Sequence, residues 1–369
     1  MKTLTALALA TVGTLLGAQA APAPAPTGPT IKFRGSIWAS GVYSDHEIAD
    51  GTVPFRGFLD QNNGGFALDG ATLGADITLP ANWSIKVTAL GGTFAKVLNM
   101  TDSPNGEDRS SLALCEAQLI YTGASDTFKI GRMWTPLGME VADQSANIAA
   151  SRGILFSNVL PLSQVGINWH HAFSASFSTD VYAINGEDKV TDNNQGKTYG
   201  LQFTYNHGGA SDKFATLLLF RGPEQDRNLV DGTGNMVPNL GVEGRQRERV
   251  SFSGQWVWGA TTLQWEADKL DNPDLNGEKA KTTGFGFILK QQFTDIYAGF
   301  LRAETMKTTY LNDDSKLSAY CVGLERKWGP TFARLELRHD NADKDAYTAT
   351  DGKTFKDANS ATISLGTSF

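Results

Sequence analysis

Cysteine, histidine and charged side chains are all scarce in this 369-residue sequence. None of the five histidines lies in a recognisable nucleophile motif, which argues against a hydrolase. The adjacent pair His170 and His171 points to opposite faces of a predicted strand, so the two rings cannot chelate one metal ion. A net charge of −7 gives no case for nucleic-acid binding. We therefore expect no catalytic site, no cofactor, no metal site and no nucleic-acid partner.

Long apolar runs are lacking after the first twenty residues. The one such run extends from Leu4 to Leu16, follows Lys2 and precedes Ala18-Gln19-Ala20. This pattern predicts a secretory signal peptide over residues 1–20. The alternative is a membrane anchor, but the run is shorter than the ~20 residues that a spanning helix requires. Residues 21–29, A-P-A-P-A-P-T-G-P, cannot pair in a sheet and are expected to form an extended periplasmic leader.

What the chain does contain is a series of alternating segments, each about ten residues long. The composition, with 39 glycines, 10% aromatic and 19% charged residues, suits many short strands and polar loops. The alternation predicts sixteen strands in residues 30–369, near 30–43, 65–78, 82–94, 111–121, 126–133, 163–171, 174–185, 197–207, 212–221, 247–257, 261–270, 280–291, 295–304, 316–327, 331–340 and 358–369. On this count Cys115 and Cys321 lie on nearly opposite walls, so we expect no disulfide between them.

The links between these strands alternate between short and long. Short links such as Pro80-Ala81 and Gly329-Pro330 consist of turn residues. Long links are expected at 44–64, 95–110, 134–162, 186–196, 222–246, 271–279, 305–315 and 341–357. Short periplasmic turns and long outer loops are typical of a transmembrane antiparallel β-barrel. In the alternative, a secreted β-sandwich or propeller, short and long loops are not expected to alternate strictly.

The last nine residues, A-T-I-S-L-G-T-S-F, form the most informative strand. Ile363, Leu365 and Phe369 fall on one face, and small or hydroxylated residues fall on the other. A strand that ends on an aromatic residue in this way resembles the signal that the barrel-assembly machinery reads in outer-membrane β-barrels. A sheet exposed to lipid cannot leave an open edge, so strand 1 is expected to pair with strand 16.

The segment from Phe128 to Gly166 resembles the putative beta-barrel porin-2 family. The family pattern is a strand followed by P-x-G-x-E, and later by a proline and a Val-Gly strand start; here it is carried by Lys129, Gly131, Pro136, Gly138, Glu140, Pro161, Val165 and Gly166. The resemblance implies an all-β outer-membrane barrel of a Gram-negative-type bacterium, with a porin function. The matching residues lie within about forty positions. The rest of the chain shares with the family only the general pattern of barrel strands and loops.

This segment is also the third long loop, which general sixteen-stranded porins fold inward to narrow the pore. Residues 142–150 contain helix-forming residues and are expected to form one or two turns. At such a constriction we expect the charged residues Glu140, Asp143 and Arg152. The alternative, a third loop that lies outside the barrel, stays open at this point.

Inward-facing basic residues flank the last strand. Lys32 and Arg34 on strand 1, and Arg334 and Arg338 on strand 15, have one nearby acid in this count, Glu336, and therefore predict a positive stripe on the pore wall. Charges along a narrow aqueous pore set its ion preference. A solvated lumen with little selectivity is the alternative.

The sequence favours a passive, water-filled diffusion channel for small hydrophilic solutes or ions, with a weak preference for anions. A structural or interaction barrel, such as a sheath or an adhesin, is the second hypothesis, and an outer-membrane lipase is the third. The expected partners are outer-membrane lipid, the barrel-assembly machinery and small hydrophilic solutes. A homotrimer is expected by analogy with general porins alone.

Overall fold

The computed structural model describes residues 28–46, 65–102, 108, 110–192, 194, 196–224, 246–273, 278–345 and 347–369. The predicted signal peptide and most of the predicted leader lie outside these ranges, as do large parts of the first and fifth long links. Among the described residues, no helix is long and apolar enough to cross a membrane.

Eighteen strands are present in the described part of the chain. Their bounds are β1 Thr30–Ser44, β2 Phe66–Thr78, β3 Trp83–Gly91, β4 Leu112–Thr122, β5 Asp126–Trp134, β6 Ser163–Ala172, β7 Phe177–Glu187, β8 Thr198–Asn206, β9 Lys213–Pro223, β10 Gln246–Trp258, β11 Thr261–Pro273, β12 Lys279–Gln292, β13 Tyr297–Tyr310, β14 Asp313–Trp328, β15 Thr331–Ala342, β16 Tyr347–Thr348, β17 Thr354–Phe355 and β18 Asp357–Ser368. Two α-helices, α1 Thr93–Asp102 and α2 Ile154–Asn158, and two 3₁₀ turns, Gln144–Ala146 and His207–Gly209, complete the described elements.

Sixteen of the strands, β1 to β15 and β18, form one closed antiparallel barrel. This confirms the predicted fold class and strand number. The barrel closes where β1 pairs with β18, from Ser36 opposite Ser368 to Ser44 opposite Ser360. At the end of this seam, Gly35 and Phe369 exchange two backbone hydrogen bonds of 3.2 and 2.9 Å. The Phe369 ring lies so close to Gly35 that a Cβ there would sit 2.7 Å from it.

The wall has an apolar outside because apolar residues occupy alternate positions of each strand. On β8, Tyr199, Leu201 and Phe203 are exposed outward, and Thr198 and Gly200, which alternate with them, are buried. Tryptophans gather at the strand ends next to the short turns, where amphipathic rings favour the membrane interface: Trp83, Trp169, Trp256, Trp258 and Trp328. The outer face is therefore built to contact lipid.

The link predicted at 305–315 is wrong. There, β13 continues to Tyr310 and β14 begins at Asp313, so only Leu311 and Asn312 connect them, both with positive φ. Polar contacts replace the apolar outer face in this extension, as in the 2.7 Å ion pair between Lys307 and Asp314. Beyond the apolar band a strand no longer contacts lipid, so apolar residues need not alternate along it. The predicted strands were ended where this alternation stops, which is why the extension was taken for a link.

The inside of the barrel is largely packed. Helix α1, loop 3 (residues 135–162, between β5 and β6) and the facing wall bury one interior apolar cluster: Trp38, Leu90, Phe94, Ala95, Val97, Leu98, Ala113, Cys115, Leu137, Phe156, Leu160, Leu162, Tyr182, Ile184, Leu218, Phe220 and Phe332. The sequence predicted a water-filled lumen. The structure adds that two outer loops bring their own apolar residues into the lumen and fill part of it.

Candidate functional site: loop 3 and the inner wall

Loop 3 lies inside the barrel and contacts the inner wall through two groups of apolar residues. Met139, Ile148 and Ala149 pack against side chains of β12, β13 and β14, and α2 packs Ile154 and Leu155 against Met306 and Ala319. Gly284 on β12 permits this approach, since a Cβ there would sit 2.3 Å from a methyl carbon of Leu155. Of the predicted helix at 142–150, a single 3₁₀ turn forms.

Three carboxylates on the wall accept hydrogen bonds from the backbone amides of loop 3. Glu336 accepts from Ala150 and Ser151 at 2.9 and 3.3 Å. Glu304 accepts from Ile154 and Leu155 at 3.1 and 3.2 Å. Glu266 accepts from Met139 at 2.9 Å. A buried amide without a partner costs free energy, so these contacts fix the loop backbone to one wall position.

Arg302 on β13 is the cation at the centre of this contact and is 1% exposed. Its guanidinium lies 3.0 Å from Glu140 of the loop, 3.2 Å from Glu304 and 3.8 Å from Glu336. It also donates a 2.7 Å bond to the carbonyl of Ser151. A buried charge must be paired, so Arg302 depends on the loop as much as the loop depends on the wall.

The three residues predicted at a constriction occupy different environments. Glu140 is buried against Arg302 and accepts from the Gly153 amide at 2.6 Å. Arg152 is also buried, with its guanidinium between the rings of Phe94 and Phe156 at 5.3 and 4.6 Å, and it donates to the carbonyls of Val141 and Ala142. These two residues hold the loop together. Asp143 alone stays half-exposed, and it accepts a 2.6 Å bond from Ser36 on β1.

The predicted positive stripe is also corrected, because its arginines are paired. Arg34 contacts Asp76 and Glu116 at 3.1 and 3.2 Å. Arg334 contacts Glu325 at 2.8 Å and the carbonyl of Gln144 at 2.9 Å. Arg338 contacts Asp340 at 2.6 Å and the carbonyl of Arg152. Arg334 and Arg338 are buried beneath loop 3, and only Lys32 of the predicted stripe is exposed.

Other lysines on the inner wall still reach solvent. On β14, the side chain of Lys327 is 35% exposed and lies 3.6 Å from Glu325, which Lys290 contacts at 2.5 Å. Glu325 thus faces three cations, since Arg334 is the third. On β3, the side chain of Lys86 is 19% exposed and lies 2.9 Å from Glu116, which it shares with Arg34. The Glu325 group has three cations for one carboxylate, whereas Lys86 and Arg34 are matched by Glu116 and Asp76. Together the two groups carry more cations than carboxylates near the short-turn end.

Helix α1 in loop 2 was missed by the sequence interpretation, which ended a strand at residue 94 and expected a loop from 95. Its side chains Phe94, Val97 and Leu98 are buried in the interior apolar cluster. Their spacing of three and four residues was the signal that could have found it. Because α1 and loop 3 share this cluster, the two loops fill the lumen together.

Two carboxylates just beyond the strand ends at the outer mouth have raised pKa values. Asp188, after β7, accepts from the amides of Leu162 and Ser163 at 2.6 and 2.9 Å, and burial raises its pKa to about 6. Glu224, after β9, accepts from the Glu187 amide at 2.8 Å, and burial, with the charge of Glu187, raises its pKa to about 7. Asp188 therefore ties the end of loop 3 to the wall in a pH-dependent way.

We expect Asp188→Asn to gain stability relative to the wild type as the pH rises from about 4 to about 6. The unfolded carboxyl loses its proton near pH 3.9, whereas the folded one retains it to about pH 6, so ionisation favours the unfolded chain in that window, by at most about 1.4 kcal/mol per pH unit. Urea midpoints measured across this range would check it. Asp295→Asn, in an exposed short turn, is the control, and equal slopes in all three proteins would contradict the expectation.

Within the described residues, no group of three histidine, cysteine or acidic side chains is placed to hold a metal ion. Cys115 and Cys321 are both buried and free, so the predicted lack of a disulfide between them is confirmed.

Comparisons with known proteins agree on one class of barrel. The sequence profile of the family described as "Putative beta-barrel porin-2, OmpL-like" matches residues 30–369. The fold is similar to that of the anion-selective porin from Comamonas acidovorans (TM-score 0.61, 12% identity, 92% of this chain and 100% of that one). It is also similar to the outer membrane channel DcaP of Acinetobacter baumannii (0.60, 12%, 93% and 98%) and to OmpT of Vibrio cholerae in trimer form (0.57, 13%, 93% and 100%). No curated protein matches the sequence. At these identities the structural likeness concerns the fold alone.

Proposed function

We propose, since the chain belongs to the putative beta-barrel porin-2, OmpL-like family, that it forms a passive diffusion channel in the outer membrane of a Gram-negative bacterium. In this proposal residues 1–20 direct export and are removed, and residues 21–29 stay in the periplasm as a leader. The channel passes small hydrophilic solutes, prefers anions weakly and needs no cofactor. The observation that carries the preference is the excess of cations over carboxylates on the inner wall near the short-turn end.

The cations that set this preference are those that solvent reaches. Lys327 belongs to a group of three cations and one carboxylate, Glu325, so the field of that group stays positive. Lys86 is the more weakly compensated cation of its own group, because Glu116 is shared with Arg34, which also contacts Asp76. Arg334 and Arg338 act differently, because they are neutralised and hold loop 3. A low-dielectric wall focuses the field of the remaining lysines into the lumen. Loop 3 serves as the constriction, with Asp143 as its half-exposed charge.

We expect the double variant Lys86→Glu and Lys327→Glu to lower the anion-to-cation permeability ratio severalfold. A unit charge interacts with an ion that passes about 4 Å away by about 1 kcal/mol in water. The double variant reverses the sign of two such charges, so the lumen attracts anions less and cations more. Reversal potentials across a salt gradient in planar bilayers measure the ratio. The effect should shrink as salt rises, because screening acts over ~10 Å at 0.1 M.

The matched control is Lys269→Glu on β11, whose side chain is 60% exposed on the outer face. It changes the same residue type without altering the lumen, so its permeability ratio should stay that of the wild type. If the double variant also kept the wild-type ratio while conducting normally, the lysines would not govern selectivity and the pore would be a general one.

We expect Phe369→Asp to reduce the amount of protein assembled in the outer membrane, with export unchanged. Ile363 and Leu365 on β18 and Phe369 just after it form an exposed apolar face, and Phe369 packs on Gly35 at the closing seam. This face is the proposed signal for the barrel-assembly machinery. Heat-modifiable mobility of outer-membrane fractions measures assembly. Thr367→Asp, one position along the same face, is the control, and normal assembly of Phe369→Asp would remove this role.

Single-channel conductance separates this proposal from a sheath, an adhesin or a lipase. An open pore conducts in a planar bilayer, whereas a barrel that only binds or hydrolyses does not. We also propose a homotrimer, supported by the likeness to the trimer form of OmpT. Cross-linking of the purified protein in mild detergent tests this, and a monomer at all concentrations would refute it.

A further inference from the structure

An apolar groove lies on the outer face of the barrel at the short-turn ends of β7 to β10. Its volume is about 340 Å³, at the lower end of the range of ligand pockets. Half of the residues that line it are aromatic, and four of these, Phe173, Phe177, Phe203 and Phe252, are exposed.

The groove lies at a pair of small residues that stand side by side. Ala215 on β9 lies opposite Tyr205 of β8 on one side and opposite Gly254 of β10 on the other. The Trp265 ring covers Gly254, since a Cβ there would sit 2.3 Å from it. Ala215 is therefore the floor, and aromatic rings form the two sides.

The rim of the groove toward the short turns is polar and basic. The Tyr205 hydroxyl lies 3.2 Å from Nδ1 of His207, and the His207 ring lies 5.0 Å from the ring of Trp256. Lys213 stands opposite Trp256 in the strand register, and the described residues place no ion pair on it. Aromatic rings with polar tips favour the membrane interface, so the rim lies at the depth of lipid head groups.

We propose that this groove binds one anionic phospholipid of the leaflet next to the short turns. The acyl chain lies on Ala215 between the aromatic sides, and the phosphate lies at Lys213 and His207. Within a bilayer an acyl chain gains nothing from leaving water, so shape and charge supply the preference, and the groove offers both. A second copy of the chain would need a matching apolar projection and would leave Lys213 without an anion. The inference depends on the proposed membrane location and not on conduction.

The test is native mass spectrometry of the full chain in detergent, titrated with phosphatidylglycerol. The wild type should retain one lipid at activation energies that strip the others. Ala215→Leu fills the floor and should remove this retained lipid, and Lys213→Gln should weaken its binding severalfold. Ala303→Leu, at an outward alanine of β13 opposite Phe287 and Tyr320, and Lys269→Gln are the controls and should bind as the wild type does.

Retention of the lipid by Ala215→Leu, or equal loss in Ala303→Leu, would overturn the groove proposal. Cross-linking between two copies through Ala215→Cys would overturn it in favour of a protein partner. Loss of all lipid binding in the wild type and in every variant would instead count against the membrane location itself. Lipid binding is measured without reference to conduction. A chain that did not conduct would therefore still give an interpretable result in this test.

Discussion

Replacing Arg302 with alanine is expected to release loop 3 from the wall and to raise single-channel conductance. The variant leaves Glu140, Glu304 and Glu336 buried without their shared cation. Breaking a buried ion pair by removing one partner costs ~3–5 kcal/mol. The loop can recover part of this cost by moving its amides and Glu140 into water, which widens the lumen. Conductance in planar bilayers and urea unfolding of the refolded protein measure the two effects.

Arg326→Ala on the neighbouring β14 is the matched control. Arg326 faces outward, where its guanidinium lies 5.6 Å from the ring of Tyr297 and 5.4 Å from that of Trp328. The same truncation there removes no contact with loop 3, so conductance should not change. Wild-type conductance and stability in Arg302→Ala would show that the apolar contacts of the loop suffice to hold it.

The second large effect is expected from Leu98→Asp in α1. Leu98 is fully buried in the interior apolar cluster. Truncating such a leucine costs ~2–5 kcal/mol, and an unpaired carboxylate in the same place costs more. We expect α1 to leave the lumen, which would expose the apolar side of loop 3, lower the unfolding free energy and increase conductance.

Lys96→Asp adds the same side chain to the same helix at a half-exposed position. It separates the effect of a new charge from that of a broken cluster, so its conductance and urea midpoint should remain near those of the wild type. If Leu98→Asp behaved like Lys96→Asp, helix α1 would not contribute to filling the lumen.

The strands could be predicted from the sequence because successive side chains of each strand point alternately to the lipid and to the lumen. This is clearest in β8, where apolar Tyr199, Leu201 and Phe203 alternate with smaller or polar residues. The same signal failed above the apolar band. There β13 and β14 pair through polar side chains to the turn at Leu311 and Asn312, and no apolar residues alternate along them on the outer face. The threonines and the tyrosine of the β13 extension favour a strand, but the alternation alone was used to set its end.

The site was harder to predict because arginine side chains reach beyond their nearest neighbours. Arg34 on β1 contacts Glu116 on β4, and Arg338 contacts Asp340 two positions along its own strand. The count also left out acids on adjacent strands, since Glu325 on β14 lies opposite Arg334 and Asp76 on β2 contacts Arg34. Both omissions overstated the positive charge. The partners of Arg302 and Arg334 in loop 3 lie more than 140 residues away in the chain. Which residues meet over such a distance in the sequence depends on the tertiary fold. A local sequence pattern therefore cannot predict these contacts.

The pairing of Gly35 with Phe369 also constrains when the barrel can close. The other barrel strands up to β15 each pair with a sequence neighbour and can form hairpins early. Closure joins residues separated by about 330 positions, and its entropy cost grows with the logarithm of that length. Such non-local strand pairing is the slow part of folding. Until β18 is in place, β1 and β15 present open edges to other chains. An exported chain is therefore most exposed to aggregation in the interval before its final strand docks.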